Sequence, residues 1–382
     1  MIYPRTIFPA IQEQLQSNKV IVITGTRRVG KTVLLRQIQE QTRLVTLWLN
    51  GEDFDVQALL AQRSVAAYGR LLGDTELLLI DEAQAVPEVG RVLKLMIDSF
   101  AKLTIVATGS SAFDLTNQTG EPLTGRRIHF DLFPLAQLEL GRNENSLQTR
   151  QQLEDRLVFG SYPEVVGLAT SVQKIDYLRE LVNSYLLKDI LMYEQVKNSA
   201  KLLQLLQLIA LQAGGEVSYD ELGRQLGISK STVERYLDLL AKVFIIFRLG
   251  GYSNNLRKEV TKSSKWYFFD NGIRNALIPN FSLLAQRQDI GALWENYLIA
   301  ERRKVNSYQR RAVESYFWRT YDGQEIDLLE QEDGHLSAFE FKWQNRRVRV
   351  PGSFDKAYPN ATFEVVHQEN YVDFIVPSYP AS

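Results

Sequence analysis

The chain has 382 residues, 45% of them hydrophobic, with a net charge of −1, the make-up of an ordinary globular protein with room for two or three domains. Near-neutral charge excludes a global basic field, so any nucleic-acid contact must come from local patches. The absence of cysteine excludes disulfides and thiolate metal sites. No window approaches a membrane span and the N-terminus lacks a signal-peptide core, so a cytoplasmic protein without a membrane partner is expected.

In chain order, Ile11 to Gln16 read as a short helix and Val20 to Thr24 as a buried strand. Gly25, Thr26, Arg27, Arg28, Val29, Gly30, Lys31 and Thr32 then fit G-x-x-x-x-G-K-[ST] at every fixed position, and Val33 opens a helix. Strand, glycine-bounded loop and helix is the setting of a phosphate-binding loop. The two glycines let the backbone curl until its N–H groups and the helix N-terminus face phosphate oxygens. Lys31 is expected to reach the β- and γ-phosphates and the Thr32 hydroxyl to ligate Mg²⁺, which makes ATP the expected ligand.

A second strand over Leu44 to Leu49 and a helix over Val56 to Leu72 follow. The apolar run Leu77 to Ile80 reads as a strand covered on both faces, ending in Asp81 and Glu82. At the C-terminal edge of a doubly wound parallel sheet, Asp81 is placed to hold Mg²⁺ through water and Glu82 to activate the attacking water. The strand Leu103 to Ala107 ends in Thr108-Gly109-Ser110-Ser111, where Ser110 is a γ-phosphate sensor or a helix cap. Gly125-Arg126-Arg127 precede a fifth strand, Ile128 to Leu132, and Arg126 is either an arginine finger or a surface ion-pair residue.

The phosphate loop, Asp81-Glu82-Ala83-Gln84, the TGSS stretch, GRR before a strand and Phe133-Pro134-Leu135 resemble the AAA-type ATPases of bacteria and archaea. Phe159-Gly160-Ser161-Tyr162-Pro163 strengthens the likeness. That resemblance implies the ATPase roles above for Lys31, Thr32, Asp81 and Glu82, a sensor role for Ser110 and a finger role for Arg126. It also implies a C-terminal domain of restriction-endonuclease fold.

Beyond the ATPase core (1–145), Lys201 to Leu211 is an apolar helix. Capping signatures at Ser218 to Glu221 and Ser231 to Glu234 open two more helices. Phe244 to Leu249 and Trp266 to Phe269 read as strands of a wing. The segment 146–285 is thus expected to be a helical linker and winged helix, with Ser229, Lys230, Ser231, Thr232 and Arg235 facing a DNA groove if it reads DNA. Eight Lys or Arg against five Asp or Glu between 217 and 262 is a mild bias, which favours packing beside the nucleotide site over DNA reading.

The remainder, 286–382, opens with a helix carrying Glu295. Strands over Ser315 to Tyr321, Glu325 to Leu329 and Leu336 to Trp343 place Asp327 among apolar residues and Glu340 and Lys342 on one strand face. This order resembles the PD-(D/E)xK nuclease core. The resemblance implies Mg²⁺ or Mn²⁺ on Asp327 and Glu340 with help from Glu295, and Lys342 positioning water. A cross-strand ion pair also accounts for Glu340-x-Lys342. Arg346, Arg347 and Arg349 are candidate phosphate contacts. The expected function is Mg²⁺-dependent ATP hydrolysis driving a winged-helix and nuclease-like output module that acts on DNA. The alternative is an ATP-switched interaction protein whose inactive nuclease-like domain docks a protein partner; a homo-oligomer is a further candidate partner.

Overall fold

Five apolar residues in a row leave no solvent face, and Val20–Thr24 accordingly form β1, buried along its whole length. In the computed structural model, which describes residues 3–109, 123, 125–186, 198–253 and 264–376, β1 lies inside a parallel sheet. Its companions are β2 (Thr46–Asn50), β3 (Leu77–Asp81), β4 (Thr104–Gly109) and β5 (Arg127–Asp131), in the order β2-β3-β4-β1-β5. β3 and β4 are as fully buried as β1, whereas the edge strands β2 and β5 are partly exposed. The helix Val89–Ser99 covers the sheet with Val92, Leu93, Met96 and Ile97, which join Val20, Val22, Leu78, Ile80 and Ile105 in one core. The strand order puts β4 between β1 and β3, so the ends of β3 and β4 lie side by side at Asp81 and Thr108. This sheet belongs to one compact unit, residues up to Phe133 with Lys242–Phe244; the rest of the chain forms a second.

The single helix expected over Val56 to Leu72 is two. Phe54–Leu60 is capped by Asp53, whose side chain accepts from the Asp55 N–H, and Val65–Leu72 by Ser64, which accepts from the Ala67 N–H. Between them Arg63 has φ of 47°. A good capping serine in mid-pattern competes with helix continuation and wins.

The second unit is built on a seven-stranded mixed sheet. In chain order its strands are β6 (Glu216–Val217), β7 (Ile246–Gly251), β8 (Ser264–Phe268), β9 (Glu314–Arg319), β10 (Glu325–Glu332), β11 (His335–Phe341) and β12 (Thr362–Val366), arranged β12-β11-β10-β9-β7-β8-β6. The hairpin expected to be a wing is β7–β8, preceded by helices Tyr219–Leu226 and Lys230–Lys242. β7 also pairs in parallel with β9, at Gly250↔Tyr316 and Gly251↔Phe317. The hairpin therefore runs in the same sheet as the C-terminal strands, across the boundary expected at 285/286. The 19-residue helix Ile290–Tyr308 packs against β8 and β11 and buries Leu293, Trp294, Leu298 and Val305. No helix among the described residues is long and apolar enough to cross a membrane.

Candidate functional site

The turn from β1 into the helix Lys31–Gln41 is shaped by two glycines for two reasons. A Cβ at Gly25 would stand 2.1 Å from the Leu132 carbonyl oxygen, so only glycine fits the close approach. Gly30 has φ of 99°, a left-handed conformation that glycine adopts without penalty. Arg28 shares that region at φ 66°. The Lys31 ammonium, 4% exposed, donates to the Gly25 and Thr26 carbonyls at 3.0 Å each. It is thus held within the curl of the loop that is to surround phosphate. Val33, two residues further, is exposed.

Behind the loop a chain of hydrogen bonds joins three elements. Thr32 Oγ1 donates to Asp81 Oδ2 at 2.7 Å, and Thr108 Oγ1 donates to Asp81 Oδ1 at 2.5 Å. Thr108 in turn accepts from the Glu82 N–H at 3.1 Å. Glu82 has φ of 48°, and its carboxylate accepts from the Gln84 side-chain amide. A non-glycine residue held in that region at a sheet edge is a common mark of a functional position. Hydroxyl and carboxylate oxygens at Thr32 and Asp81 are the hard donors that Mg²⁺ prefers, and their convergence fits such an ion.

Two further residues build this site, Arg5 outside every motif and Thr108 within the TGSS stretch. Arg5, buried, donates to the Val29 carbonyl at 2.8 Å and to the Phe133 carbonyl at 2.6 Å, tying the phosphate loop to the end of β5. Thr108 fixes both acidic residues at once. Ser110 lies outside the described residues. Arg126 is half exposed, its Nε 3.3 Å from Asp98 Oδ1, so its side chain is engaged in an ion pair.

The second unit gathers the C-terminal residues. Glu295 comes from the long helix, Asp327 from β10, and Glu340 and Lys342 from β11 and the residue after it. The β9–β10 register shifts between Ile326 and Leu329, a bulge that re-aims Asp327. Burial, with the charges of Glu295 and Glu340 beside it, pushes the Asp327 carboxyl up to about 8; the Phe341 N–H donates to it at 2.7 Å. Burial likewise raises the Glu295 carboxyl. Lys342 Nζ donates to Glu340 Oε1 at 2.6 Å. Two further groups, unmarked in the sequence, enter from β8: Lys265 Nζ stands 3.4 Å from Glu295 Oε1 and 2.5 Å from Glu325 Oε1, and Tyr267 donates to Glu295 at 2.6 Å. Among the described residues no three His, Cys, Asp or Glu side chains are grouped to hold a metal ion.

Elsewhere, Ser229, Lys230, Ser231 and Arg235 are exposed and Thr232 half-buried, with Lys230 paired to Asp220 at 2.9 Å. Arg346, Arg347 and Arg349 are exposed, and with Asn345 and His367 they line a cleft of about 520 Å³.

Residues 17–141 match the family described as AAA domain, and residues 150–284 and 290–375 match two domains of unknown function, DUF8612 and DUF4143. An uncharacterized protein of Mycobacterium tuberculosis is 25% identical over 346 residues, spanning 90% of this chain and 74% of its own length. An uncharacterized protein of Haemophilus influenzae is 28% identical over 282 residues, 67% of this chain and 68% of its own. Among solved structures, a Walker-type ATPase of Pyrococcus abyssi aligns with a TM-score of 0.49 at 17% identity, covering 72% of this chain and 96% of its own. The AAA-domain match and the geometry of loop, carboxylates and hydroxyls agree that the first unit carries a P-loop ATPase-like domain.

Proposed function

We propose that the chain binds ATP with Mg²⁺ at Gly25 to Val33 and hydrolyses it with Asp81 and Glu82. The observation that carries this reading is the hydrogen-bonded run Thr32–Asp81–Thr108–Glu82 beneath the phosphate loop. Backbone N–H groups from Gly25 to Thr32 bind phosphate oxygens, and the Lys31 ammonium turns from the Gly25 and Thr26 carbonyls to them. Thr32 and Asp81 hold Mg²⁺, which when bound neutralises phosphate charge. Glu82 takes the proton of the attacking water, its backbone held by Thr108. Ser110 is the proposed sensor. Arg126 acts as a finger only after leaving Asp98.

Hydrolysis then drives the second unit, read as a winged helix followed by a nuclease-like module acting on DNA. The helix pair with its hairpin supports that reading, as do the order Glu295, Asp327, Glu340, Lys342 and the arginine-lined cleft. The alternative, an ATP-switched protein whose inactive nuclease-like domain docks a protein partner or a second copy, is supported by a different observation: Lys265 occupies the carboxylate cluster.

A paired assay on one preparation tests these readings. ATP turnover is measured with and without DNA, and DNA integrity is followed with Mg²⁺ or Mn²⁺. Turnover stimulated by DNA, with metal-dependent cutting, supports the DNA reading. Turnover indifferent to DNA, with the DNA intact, supports the alternative. No turnover under either condition overturns the ATPase proposal.

A further inference from the structure

The C-terminal carboxylates are answered by a cation that the nuclease resemblance does not supply. Lys265 lies on β8, in the middle segment of the chain, and is 3% exposed. Its ammonium sits between Glu325 Oε1 at 2.5 Å and Glu295 Oε1 at 3.4 Å, and 5.3 Å from the centre of the Phe317 ring. The close contact with the Glu325 carboxylate favours the charged ammonium form. A buried ammonium in such company is costly to move, because leaving strands both it and the carboxylates.

The other acids of the cluster are also met by donors from the chain itself. Glu295 accepts from the Tyr267 hydroxyl, Asp327 from the Phe341 N–H, and Glu340 from Lys342. A hard divalent ion needs several of these oxygens turned to one point at about 2.0–2.6 Å. One oxygen of each acid is engaged instead by an N–H, O–H or ammonium group of the chain. The same helix, strand order and E-x-K spacing that resemble a metal-dependent nuclease are therefore combined with a different charge balance.

We propose that Lys265 is the built-in cation of this cluster and keeps divalent metal out of it. Lys265, from the segment that reads as a winged helix, pairs with Glu295 and Glu325, so a divalent ion drawing on Glu295 must compete with it. This inference rests on the alternative reading, in which the nuclease-like domain is inactive; no residue of the phosphate loop enters it, and it stands or falls apart from the ATPase reading.

The test is Mn²⁺ titration of the nucleotide-free full chain, followed by the loss of the free-ion electron paramagnetic resonance signal. Wild type is compared with Asp327→Asn, Lys265→Met, Lys265→Arg and the Lys265→Met/Asp327→Asn double variant. Binding at the phosphate loop is common to all five and cancels. Wild type and Asp327→Asn should titrate alike. Lys265→Met should gain one Mn²⁺ per chain, roughly tenfold or more tighter than any wild-type binding, and the double variant should lose it. Lys265→Arg keeps the positive charge and should behave as wild type. A wild-type Mn²⁺ site abolished by Asp327→Asn would overturn the proposal, as would a folded Lys265→Met that gains none. Should Lys265→Met fail to fold by circular dichroism, the comparison of wild type with Asp327→Asn decides alone.

Discussion

Replacing Thr108 by valine is the sharpest test of how the acidic edge is held. The change keeps shape and volume while removing one hydroxyl that donates to Asp81 at 2.5 Å and accepts from the Glu82 N–H at 3.1 Å. A hydrogen bond to a charged carboxylate is worth about 1.5–3 kcal/mol, and a buried N–H left without an acceptor costs about 1–3 kcal/mol. Glu82 is only half-buried, so water can replace part of the second contribution, and we expect a loss of about 3 kcal/mol. Amide hydrogen exchange of peptides from β3 and β4 reads that unit directly, and the loss corresponds to exchange faster by about two orders of magnitude where global opening governs it. Turnover should fall by about tenfold or more, since Asp81 and Glu82 lose their common tether. Thr108→Ser retains the hydroxyl, sheds one methyl worth about 1 kcal/mol, and should keep most of its turnover. If Thr108→Val exchanges within about 0.5 kcal/mol of wild type and turns over normally, the bridge does not organise the site.

Other consequences are equally direct. Arg5→Met removes two charge-assisted bonds that tie the phosphate loop to the end of β5. Calorimetric ATP binding should weaken by about tenfold to a hundredfold, and unchanged affinity would show that the loop holds its shape without Arg5. In the second unit, burial alone would raise the Asp289 carboxyl, but hydrogen bonds from Arg287 and Arg274 hold it at about 2. A lowered folded-state value means stabilisation that is present above the ordinary carboxyl range and lost as pH falls toward 2. Screened by the solvent that still reaches it, that amounts to about 1 kcal/mol between pH 5 and pH 3. Urea midpoints should fall across that window more in wild type than in Asp289→Asn, and parallel pH profiles would refute the pairing.

The phosphate loop is legible in the sequence because its chemistry is local: eight consecutive residues carry the glycines, the lysine and the hydroxyl, and strand and helix flank them. Asp81 is legible because the apolar run that ends in two acids follows a complete phosphate loop, which sets it apart from a strand whose acids merely cap the next helix. Thr108 shows where such reading ends. Its position in a TGSS stretch suggests a polar edge residue, but its bond to Asp81 depends on β4 lying beside β3, which only the sheet order reveals. Arg5 reaches across 24 residues to Val29, and nothing in Tyr3-Pro4-Arg5 announces it. Lys265 is harder still, since strand patterning gives no reason for a lysine to be buried until the carboxylates beside it are known. The expected helix over Val56 to Leu72 is divided because Ser64 caps a new start, a local signal outweighed in the reading by the longer apolar period. β12 alternates exposed and half-buried residues and pairs in parallel with β11, an apolar pattern too weak to mark a strand in the sequence.

The central claim is tested most directly by comparing Lys31→Ala with Glu82→Gln for ATP binding and turnover in the same buffer with Mg²⁺. Lys31→Ala should lose nucleotide binding, because the cation at the centre of the loop is gone. Glu82→Gln should bind ATP as wild type does yet turn it over at least about a hundredfold more slowly, within the usual range for loss of a general base. Normal hydrolysis by Glu82→Gln, or undiminished binding by Lys31→Ala, would contradict the account.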